Sequence, residues 1–372
     1  MDLRQRQPAM LEQLAALVEA ESGSSDIEGI IDCAAVIEKL GHGITGVKAE
    51  TVHAEDGRVH LVWHLGASPT KVLLVGHFDT VWPRGTLARW PFSVDETADR
   101  ATGPGAFDMK AGIVQMFHAL AALAQTGSTD GITAVLTSDE ELGSQTSRRL
   151  VEDLASGASA ALVLEPSADG GALKIARKGT SMYEVAVEGR AAHAGLEPEK
   201  GANATVELAH QVLAINELGR PDVGTTVTPT VAAAGTTTNT VPAHALLHVD
   251  VRAETIAEQD RVDAAIRSLH AQVPGTRLVV AGGPNRAPFP KDSSAGLLQL
   301  AAQVASDLRL GPLEGVAVGG GSDGNFTAGA GVPTLDGLGA VGGNAHGEGE
   351  WVHVPSMAER AALLTELVRR LL

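Results

Sequence analysis

The sequence predicts an α/β fold in which a mostly parallel sheet is flanked by helices and interrupted by an inserted α+β module. Up to residue 178, short apolar segments alternate with amphipathic helices, an order typical of parallel strands joined by helical crossovers. Between residues 179 and 286 the strands alternate in polarity, which favours a sheet with one solvated face. After residue 286, short apolar segments again alternate with amphipathic helices. We therefore expect a larger domain formed by residues 1–178 and 287–372, with residues 179–286 inserted into it.

Helical periodicity and turn residues place the elements of the first segment in order. Two amphipathic helices are each followed by a glycine, and a hairpin turns at Asp56-Gly57. The strand Val72–Val75 is wholly apolar, as expected of a strand that is buried on both faces. The predicted elements are helices 9–20 and 26–40, strands 47–53, 58–64 and 72–75, helix 109–124, strand 132–138, helix 144–155 and strand 160–164.

The inserted module and the last segment follow from the same signals. Two helices and about four alternating strands make up the module, and the βα order resumes after it. The predicted elements are strand 182–187, helix 202–218, strands near 227–234 and 244–252, helix 256–271, strand 277–281, helix 294–308, an apolar run 316–318, a helix after residue 322, strand 332–335 and helix 356–371.

Composition argues against several classes of function. A formal net charge of −17 and 3% aromatic residues disfavour nucleic-acid binding, which needs clustered cations and stacking surfaces. No apolar run approaches about 18 residues, so we expect no membrane span, and charged residues interrupt any signal-peptide pattern at the N-terminus. The single cysteine, Cys33, cannot form an internal disulfide, which favours a cytoplasmic location.

Side chains that could bind metal follow the predicted strands. His77 and Asp79 come after the first buried strand, and at this spacing Asp79 can accept a hydrogen bond from a metal-binding His77 ring. Asp108 ends a glycine-rich loop just before a helix. Each signal is weak alone, because His77 and Asp79 also fit a surface loop and Asp108 also fits a helix N-cap.

Further acids end the next two strands. Glu140 and Glu141 follow strand 132–138, and Glu165 follows strand 160–164, whereas His346 lies in a glycine-rich loop near the C-terminus. Because the side chains of adjacent residues diverge, one acid of the pair can bind metal while the other faces the substrate. A solvated acidic loop would explain the pair in isolation. Together, however, these groups occupy successive strand ends at one edge of the predicted sheet, where open α/β folds build their sites.

This ordered set of histidines and acids has the chemistry of a two-metal hydrolytic centre, with one carboxylate left over to act as a base. Imidazole and carboxylate ligands suit zinc, cobalt or manganese, and a single cysteine excludes a sulfur-rich site. We interpret the chain as a metal-dependent amide hydrolase.

Over nearly its full length the sequence resembles the co-catalytic zinc peptidases that include bacterial glutamate carboxypeptidase, acetylornithine deacetylase, succinyl-diaminopimelate desuccinylase and aminoacylase. The segments that carry the resemblance are Gly76–Val81, Gly103–Gly112, Ser138–Glu141 and Gly189–Gly195. The resemblance is strongest to bacterial glutamate carboxypeptidase. It also implies a cis peptide bond between Asp108 and Met109.

The resemblance implies which residues bind two divalent metal ions, most simply zinc, with cobalt or manganese as alternatives. The implied ligands are His77, Asp108, Glu141, Glu165 and His346. Asp108 would bridge the ions, one of which would also take His77 and Glu165. Glu140 would be the general base, and Asp79 would orient His77.

The inserted module resembles the lid of this family, which also carries the dimer contact, so that a homodimer is implied. In the lid, His193, Asn239 and Arg252 fall at substrate-binding positions. The Arg252 guanidinium is a planar fork suited to a carboxylate, although a surface salt bridge is the alternative. His193 would donate a hydrogen bond to the developing oxyanion, from its own subunit or from the partner subunit.

A glycine-rich segment, Gly319–Gly324, matches the spacing of a dinucleotide-binding fingerprint. It lies late in the chain rather than in the first βαβ unit, and Asp323 would repel a pyrophosphate. We instead expect the N–H groups of Gly320 and Gly321 to help bind a substrate carboxylate.

The expected reaction is the hydrolysis of an amide bond next to a free carboxylate, by a metal-bound water whose proton Glu140 removes. We favour a glutamate-carboxypeptidase-like activity on a small amide or peptide substrate. An N-acyl-amino-acid deacylase of the acetylornithine or succinyl-diaminopimelate type is the alternative. A family member that binds peptides without catalysis is the alternative from another class.

Overall fold

The computed structural model describes residues 2–372, and its contacts divide the chain into two compact units. The first unit comprises Met1–Ala176, Pro290–Val318 and Ser322–Leu372. The second unit comprises Arg177–Phe289 and Gly319–Gly321. No helix within residues 2–372 is both long and apolar enough to cross a lipid bilayer.

Residues 2–372 form nine α-helices and eighteen strands. The helices are α1 Gln7–Glu19, α2 Ile27–Thr45, α3 Ala111–Thr126, α4 Arg148–Ala155, α5 Ala204–Asn216, α6 Ile256–Arg267, α7 Ala295–Asp307, α8 Gly324–Gly329 and α9 Val354–Leu371. The strands are β1 Glu50–His53, β2 Val59–Leu65, β3 Val72–His77, β4 Ser93–Asp95, β5 Arg100–Thr102, β6 Ile132–Thr137, β7 Ala160–Val163, β8 Leu173–Arg177, β9 Gly179–Glu188, β10 Ala192–His193, β11 Thr226–Ala234, β12 Thr240–Val241, β13 His244–Ala253, β14 Arg277–Arg286, β15 Gly315–Val318, β16 Thr334–Leu335, β17 Gly342–Gly343 and β18 Trp351–His353.

The main sheet of the first unit has six strands in the order β1-β2-β6-β3-β7-β16. Strand β3 runs parallel to β6 and β7, and β16 runs parallel to β7, whereas β2 is antiparallel to β1 and β6. The sheet is therefore mixed, with a parallel centre, and the predicted α/β class is confirmed. Every residue of β3, β6 and β7 is buried, as their apolar sequences require.

Helices α1, α2, α3 and α9 surround the core of this unit, in which Trp63 packs edge-to-face on Phe117 with ring centroids 5.2 Å apart. Thirteen consecutive residues of α3, from Ala111 to Leu123, are buried, which explains the apolar sequence of that helix. Helix α2 begins at a capping Asp26, whose carboxylate accepts the Gly29 N–H. Such a cap stabilises a helix by about 1 kcal/mol.

The second unit contains a four-stranded antiparallel sheet in the order β11-β13-β9-β14, together with α5 and α6. Along β13, alternate residues such as Leu247, Val249 and Val251 are buried, and they belong to the core of this unit. The predicted four strands and two helices are present. The alternating pattern that was read from the sequence reflects a sheet with one buried face.

Among the predicted helices that begin later than expected, two lie beside the site. Helix α4 begins at Arg148 rather than at residue 144, because a 3-10 turn, Glu140–Leu142, precedes it and Ser144 has a φ of +57°. Helix α3 begins at Ala111 rather than at residue 109, because Asp108 and Met109 have non-helical backbone angles. Both shifts occur where predicted site residues lie.

Candidate metal centre

Six of the predicted site residues of the first unit belong to the loops and strand ends at the carboxyl edge of its sheet. His77 is the last residue of β3, Glu140 and Glu141 form the turn after β6, and Glu165 follows β7 by two residues. Asp108 lies in the turn before α3, and His346 lies in the loop between β17 and β18. Because β3, β6 and β7 run parallel, their carboxyl ends lie side by side.

Asp108, for which a bridging role is expected, lies between two imidazoles. Its Oδ1 lies 3.2 Å from His77 Nε2, and its Oδ2 lies 3.4 Å from His346 Nε2. On the first side, Glu165 Oε1 lies 3.4 Å from His77 Nε2. On the second side, Glu141 Oε1 lies 3.1 Å from His346 Nε2. The two oxygens of Asp108 therefore face two different imidazoles, each of which has a second carboxylate beside it.

Glu140 belongs to the same cluster. Ligand-type atoms of His77, Glu140 and Glu165 lie within 4.8 Å of one another, and the same holds for His77, Asp108 and Glu141. Glu140 is half-buried. Its carboxylate is therefore close enough to take a proton from a water held within the cluster.

Asp79 is fully buried and connects His77 to the Glu140–Glu141 turn. Its Oδ1 accepts the Glu140 N–H at 3.1 Å, and its Oδ2 accepts the Glu141 N–H at 3.2 Å and the Ser24 hydroxyl at 2.8 Å. His77 Nδ1 lies 3.0 Å from the Asp79 carbonyl oxygen and 3.4 Å from its carboxylate. Asp79 thus contacts the His77 ring through both backbone and side chain, and it also positions the two adjacent acids.

The Asp108 segment has an unusual backbone path. Gly105 has a φ of +72°, and a Cβ at this position would lie 2.4 Å from Thr80 Cγ2, so that only glycine fits. The Asp108–Met109 peptide bond is cis, as the resemblance implied.

Electrostatics within the cluster favour bound cations. Burial opposes a charge on His77, but the carboxylates of Asp108, Asp79 and Glu165 raise its pKa well above the usual range. Asp108 and Glu141 raise the pKa of His346 to about 10. Burial raises the pKa of Glu141, and the neighbouring negative charge of Asp108 raises it further. The crowded carboxylates thus favour a positive charge between them, whether that of an imidazolium or that of a metal ion.

The donor set fits divalent metal ions. Imidazole nitrogens and carboxylate oxygens converge within hydrogen-bonding distance of one another, and Cys33, the one cysteine, is buried within α2. Zinc, cobalt and manganese accept such nitrogen and oxygen ligands. Closely spaced acids are unfavourable unless cations offset their charge, and Asp108 lies where it could be shared by two ions.

Glu350 is a residue near the centre to which the sequence assigned no role. It is completely buried, and its two oxygens accept the Phe107 backbone N–H and the Trp82 indole N–H, both at 3.1 Å. Burial raises the pKa of Glu350 to about 7. Because Phe107 precedes Asp108, Glu350 holds the segment that carries the central carboxylate. Its position next to the apolar end of the His346 loop, before Trp351 and Val352, is the one local signal of its burial.

A cavity of about 390 Å³ adjoins Glu141 within the first unit. Its walls include Val81, Trp82 and Leu142, of which Val81 and Leu142 are exposed. This volume lies within the range of about 300–1,000 Å³ that is typical of small-molecule sites. It provides space for part of a substrate beside the carboxylate cluster.

The remaining predicted residues lie in the second unit. Arg252 makes a bidentate ion pair with Asp250, with its Nη2 2.8 Å from Asp250 Oδ2. The Asn239 carbonyl accepts the Ala194 N–H at 2.9 Å, which joins the segments around Asn239 and His193. The carbonyls of Gly320 and Gly321 accept hydrogen bonds from Arg177 at 3.1 and 3.2 Å.

His193 is exposed, and its Nδ1 accepts backbone N–H bonds from Gly195 at 3.2 Å and Leu196 at 3.1 Å. A backbone N–H can only donate, so Nδ1 carries no proton and the proton of the neutral ring lies on Nε2. The local fold thus fixes His193 as a hydrogen-bond donor through Nε2.

Fold and site together define a metal-dependent hydrolase. The chain belongs to peptidase family M20/M25/M40, whose profile matches residues 73–370. It is 32% identical to carboxypeptidase G2 of Pseudomonas sp. (strain RS-16) over 97% of this chain and 89% of that protein. It is 26% identical to succinyl-diaminopimelate desuccinylase 1 of Alteromonas mediterranea over 89% of this chain and 88% of that protein.

The fold is also similar to that of solved peptidases. The crystal structure of a tripeptidase from Staphylococcus aureus superposes with a TM-score of 0.77 at 22% identity and covers 98% of both chains. The family resemblance that the four sequence segments indicated is therefore confirmed. Members of this family act on small peptide or amide substrates.

Proposed function

We propose that the protein hydrolyses an amide bond next to a free carboxylate, with a glutamate-carboxypeptidase-like preference. The observation that carries this proposal is the placement of Glu140 within 4.8 Å of His77 and Glu165, beside a cluster that suits two metal ions. The preference for glutamate is supported by the 32% identity to a protein named carboxypeptidase G2.

His77, Asp108, Glu141, Glu165 and His346 would hold two divalent ions, most simply zinc, with Asp108 shared between them. When bound, such ions polarise a carbonyl group and lower the pKa of water toward neutrality. Asp79 fixes the His77 ring and the Glu140–Glu141 turn, so that these ligands need little rearrangement.

Glu140 acts as the general base in this proposal. It accepts the proton of the attacking water and returns it to the leaving nitrogen. The nitrogen then leaves as a neutral amine rather than as an anion, which is a poor leaving group. His193, whose Nε2 carries a proton, would donate to the oxyanion.

The lid residues that the resemblance implies would recognise the substrate carboxylate. Arg252 is the favoured partner, and binding would exchange part of its pairing with Asp250 for pairing with the substrate. Asn239, Gly320 and Gly321 would supply further polar contacts.

A Glu140→Gln variant tests the proposed chemistry. It should keep its metal content and fold but lose about 10²–10⁴-fold or more in turnover of an acyl-glutamate, because glutamine accepts no proton. Glu152→Gln, a change of the same kind at a partly exposed residue of α4 that pairs with Arg148, is the matched control. Near-wild-type turnover by Glu140→Gln with full metal content would exclude the role of this residue as the base.

An N-acyl-amino-acid deacylase is the second candidate, supported by the 26% identity to a succinyl-diaminopimelate desuccinylase. A panel of folate-like, acetylornithine, succinyl-diaminopimelate and other N-acyl amino acid substrates, each with zinc, cobalt and manganese, separates the two. The highest kcat/KM on an acyl-glutamate supports the first candidate. The absence of hydrolysis throughout the panel would favour a non-catalytic binding protein.

We also propose a homodimer that forms through the second unit. Strand β11 lies at the edge of its sheet, and most of its residues are exposed, among them Val231. An exposed edge with an apolar side chain favours pairing with another chain. Light scattering should give twice the mass of the chain, and Val231→Lys should shift the measured mass toward that of the monomer.

A cytoplasmic location stays a proposal, which the single free Cys33 supports.

A further inference from the structure

A second cavity lies beside α9 in the first unit, and none of its lining residues is a proposed metal ligand. Its volume is about 240 Å³. Helix α9 contributes Ser356, Arg360 and Leu363 to its wall, and the segment after α7 contributes Leu310 and Leu313. The volume is below the range of about 300–1,000 Å³ that is typical of drug-sized ligands, so the cavity suits a small molecule.

Arg360 is the unusual residue of this cavity. Its side chain is only 5% exposed, yet within residues 2–372 it forms no ion pair. Its Nη2 donates to the Gly171 carbonyl at 2.5 Å, and this is the one hydrogen bond of its side chain within the described part of the chain. A guanidinium group carries five N–H donors, so most of them remain available.

The positive charge of Arg360 is poorly compensated. Burial lowers its pKa to about 10, and the negative charge of Glu359 opposes this only in part. The carboxylate of Glu359 is more exposed and lies 3.8 Å from Arg4 instead. A buried charge without an ion-pair partner is unfavourable, and an anion in the cavity would reduce that penalty.

The other walls restrict the kind of anion. Leu310, Pro312, Leu313 and Val341 are apolar, and Arg360 is the one arginine or lysine among the described lining residues. His353 and Glu359 also line the cavity, and the charge of Glu359 disfavours a second negative charge on the ligand. A single cation balances a single negative charge, whereas a phosphate dianion would need more than one. We propose that this cavity binds a small monocarboxylate with a short apolar body. Its carboxylate would accept the remaining Arg360 N–H groups while Nη2 keeps its bond to Gly171.

Isothermal calorimetry with isovalerate tests this site in the metal-loaded protein. We expect a Kd of about 1 mM or tighter. Arg360→Met should weaken binding about ten- to a hundredfold, the range for a charge-assisted hydrogen bond. Arg369→Met is the matched control, because Arg369 lies on the same helix, is exposed and pairs with Glu366, and it should bind as the wild type does.

Further arms of the experiment separate this site from other carboxylate sites. Leu313→Trp fills the cavity but keeps Arg360, so it should abolish binding even if Arg360→Met does not fold. Isovaleramide, the neutral isostere, should bind at least about tenfold more weakly than isovalerate. Binding that persists unchanged in both variants, or is absent from the wild type, would overturn the proposal. Tighter binding of inorganic phosphate than of isovalerate would overturn the assignment to a monocarboxylate.

Discussion

Replacement of Asp79 by asparagine should slow hydrolysis and weaken metal binding without changing the fold. Asparagine has the same shape but only one acceptor oxygen. If that oxygen keeps the bonds to Ser24 and Glu141, its NH₂ group faces the Glu140 N–H, which loses its acceptor. Loss of one buried acceptor costs about 1–3 kcal/mol. The turn that carries the general base would then be free to move.

The size of the effect follows from this count. If the full 1–3 kcal/mol appears in the transition state, kcat/KM falls about 5- to 160-fold, since 1.36 kcal/mol corresponds to tenfold. Loss of a group that orients a metal-binding histidine typically costs about 10–100-fold in metal affinity. The expected fall in kcat/KM and the expected loss of metal affinity are therefore similar in size. The first arises from the bond of Asp79 to the Glu140 N–H, and the second from its contact with the His77 ring.

The assay is steady-state hydrolysis of an acyl-glutamate across a zinc titration, with metal content measured on the same samples. Asp130→Asn is the matched control, because Asp130 also accepts three hydrogen bonds, from Ala67 and Ser68, but is exposed. We expect its activity and zinc affinity to equal those of the wild type. Wild-type kcat/KM and zinc affinity in Asp79→Asn would refute the role that we assign to Asp79.

Three further predictions concern other residues. Glu350→Leu leaves the Phe107 and Trp82 N–H groups without acceptors, so the free energy of unfolding by urea should fall by about 2–6 kcal/mol. Glu350→Gln should have an intermediate stability, and equal stabilities of the wild type and Glu350→Leu would contradict this prediction. The pKa of His118 is lowered by burial to about 4, so its stabilisation is present above pH 6.5 and is lost as the pH falls toward 4. His118→Leu should therefore flatten the acid limb of stability measured by denaturation at several pH values, and an unchanged limb would contradict the assignment. Arg252→Lys loses the planar fork, so KM for an acyl-glutamate should rise at least about tenfold, and an unchanged KM would remove Arg252 from substrate binding.

The edge of the sheet was predictable because its strands have a strong local signature. The segments that became β3, β6 and β7 are short, apolar and bounded by polar residues, and parallel strands place their carboxyl ends at one edge. His77 and Glu140 follow such strands directly, so their proximity could be inferred. His346 lacked this signature, because it follows no buried strand directly and only its glycine-rich loop marked it.

Glu350 could not be assigned a role from the sequence, because its contacts are distant along the chain. Its partners Phe107 and Trp82 lie 243 and 268 residues earlier. No periodicity or motif encodes such contacts, since they depend on how separate loops meet. The same holds for Ser24, whose hydroxyl bonds Asp79 across 55 residues.

The ion pair between Arg252 and Asp250 could, by contrast, be predicted from the sequence. Asp250 and Arg252 are two residues apart on β13, and side chains at this spacing lie on the same face of a strand. The carboxylate of Asp250 was therefore a foreseeable partner.

The short strands β4 and β5 were missed because they are only three residues long and mostly exposed, with no polarity pattern to mark them.

Metal analysis of the purified protein after reconstitution with zinc tests the central claim most directly. We expect two equivalents of zinc per chain, held with nitrogen and oxygen ligands, and a loss of most of this metal in Asp108→Ala, because both sides of the cluster depend on that carboxylate. Less than one equivalent in the wild type, or two equivalents in Asp108→Ala, would contradict a dinuclear centre built around Asp108.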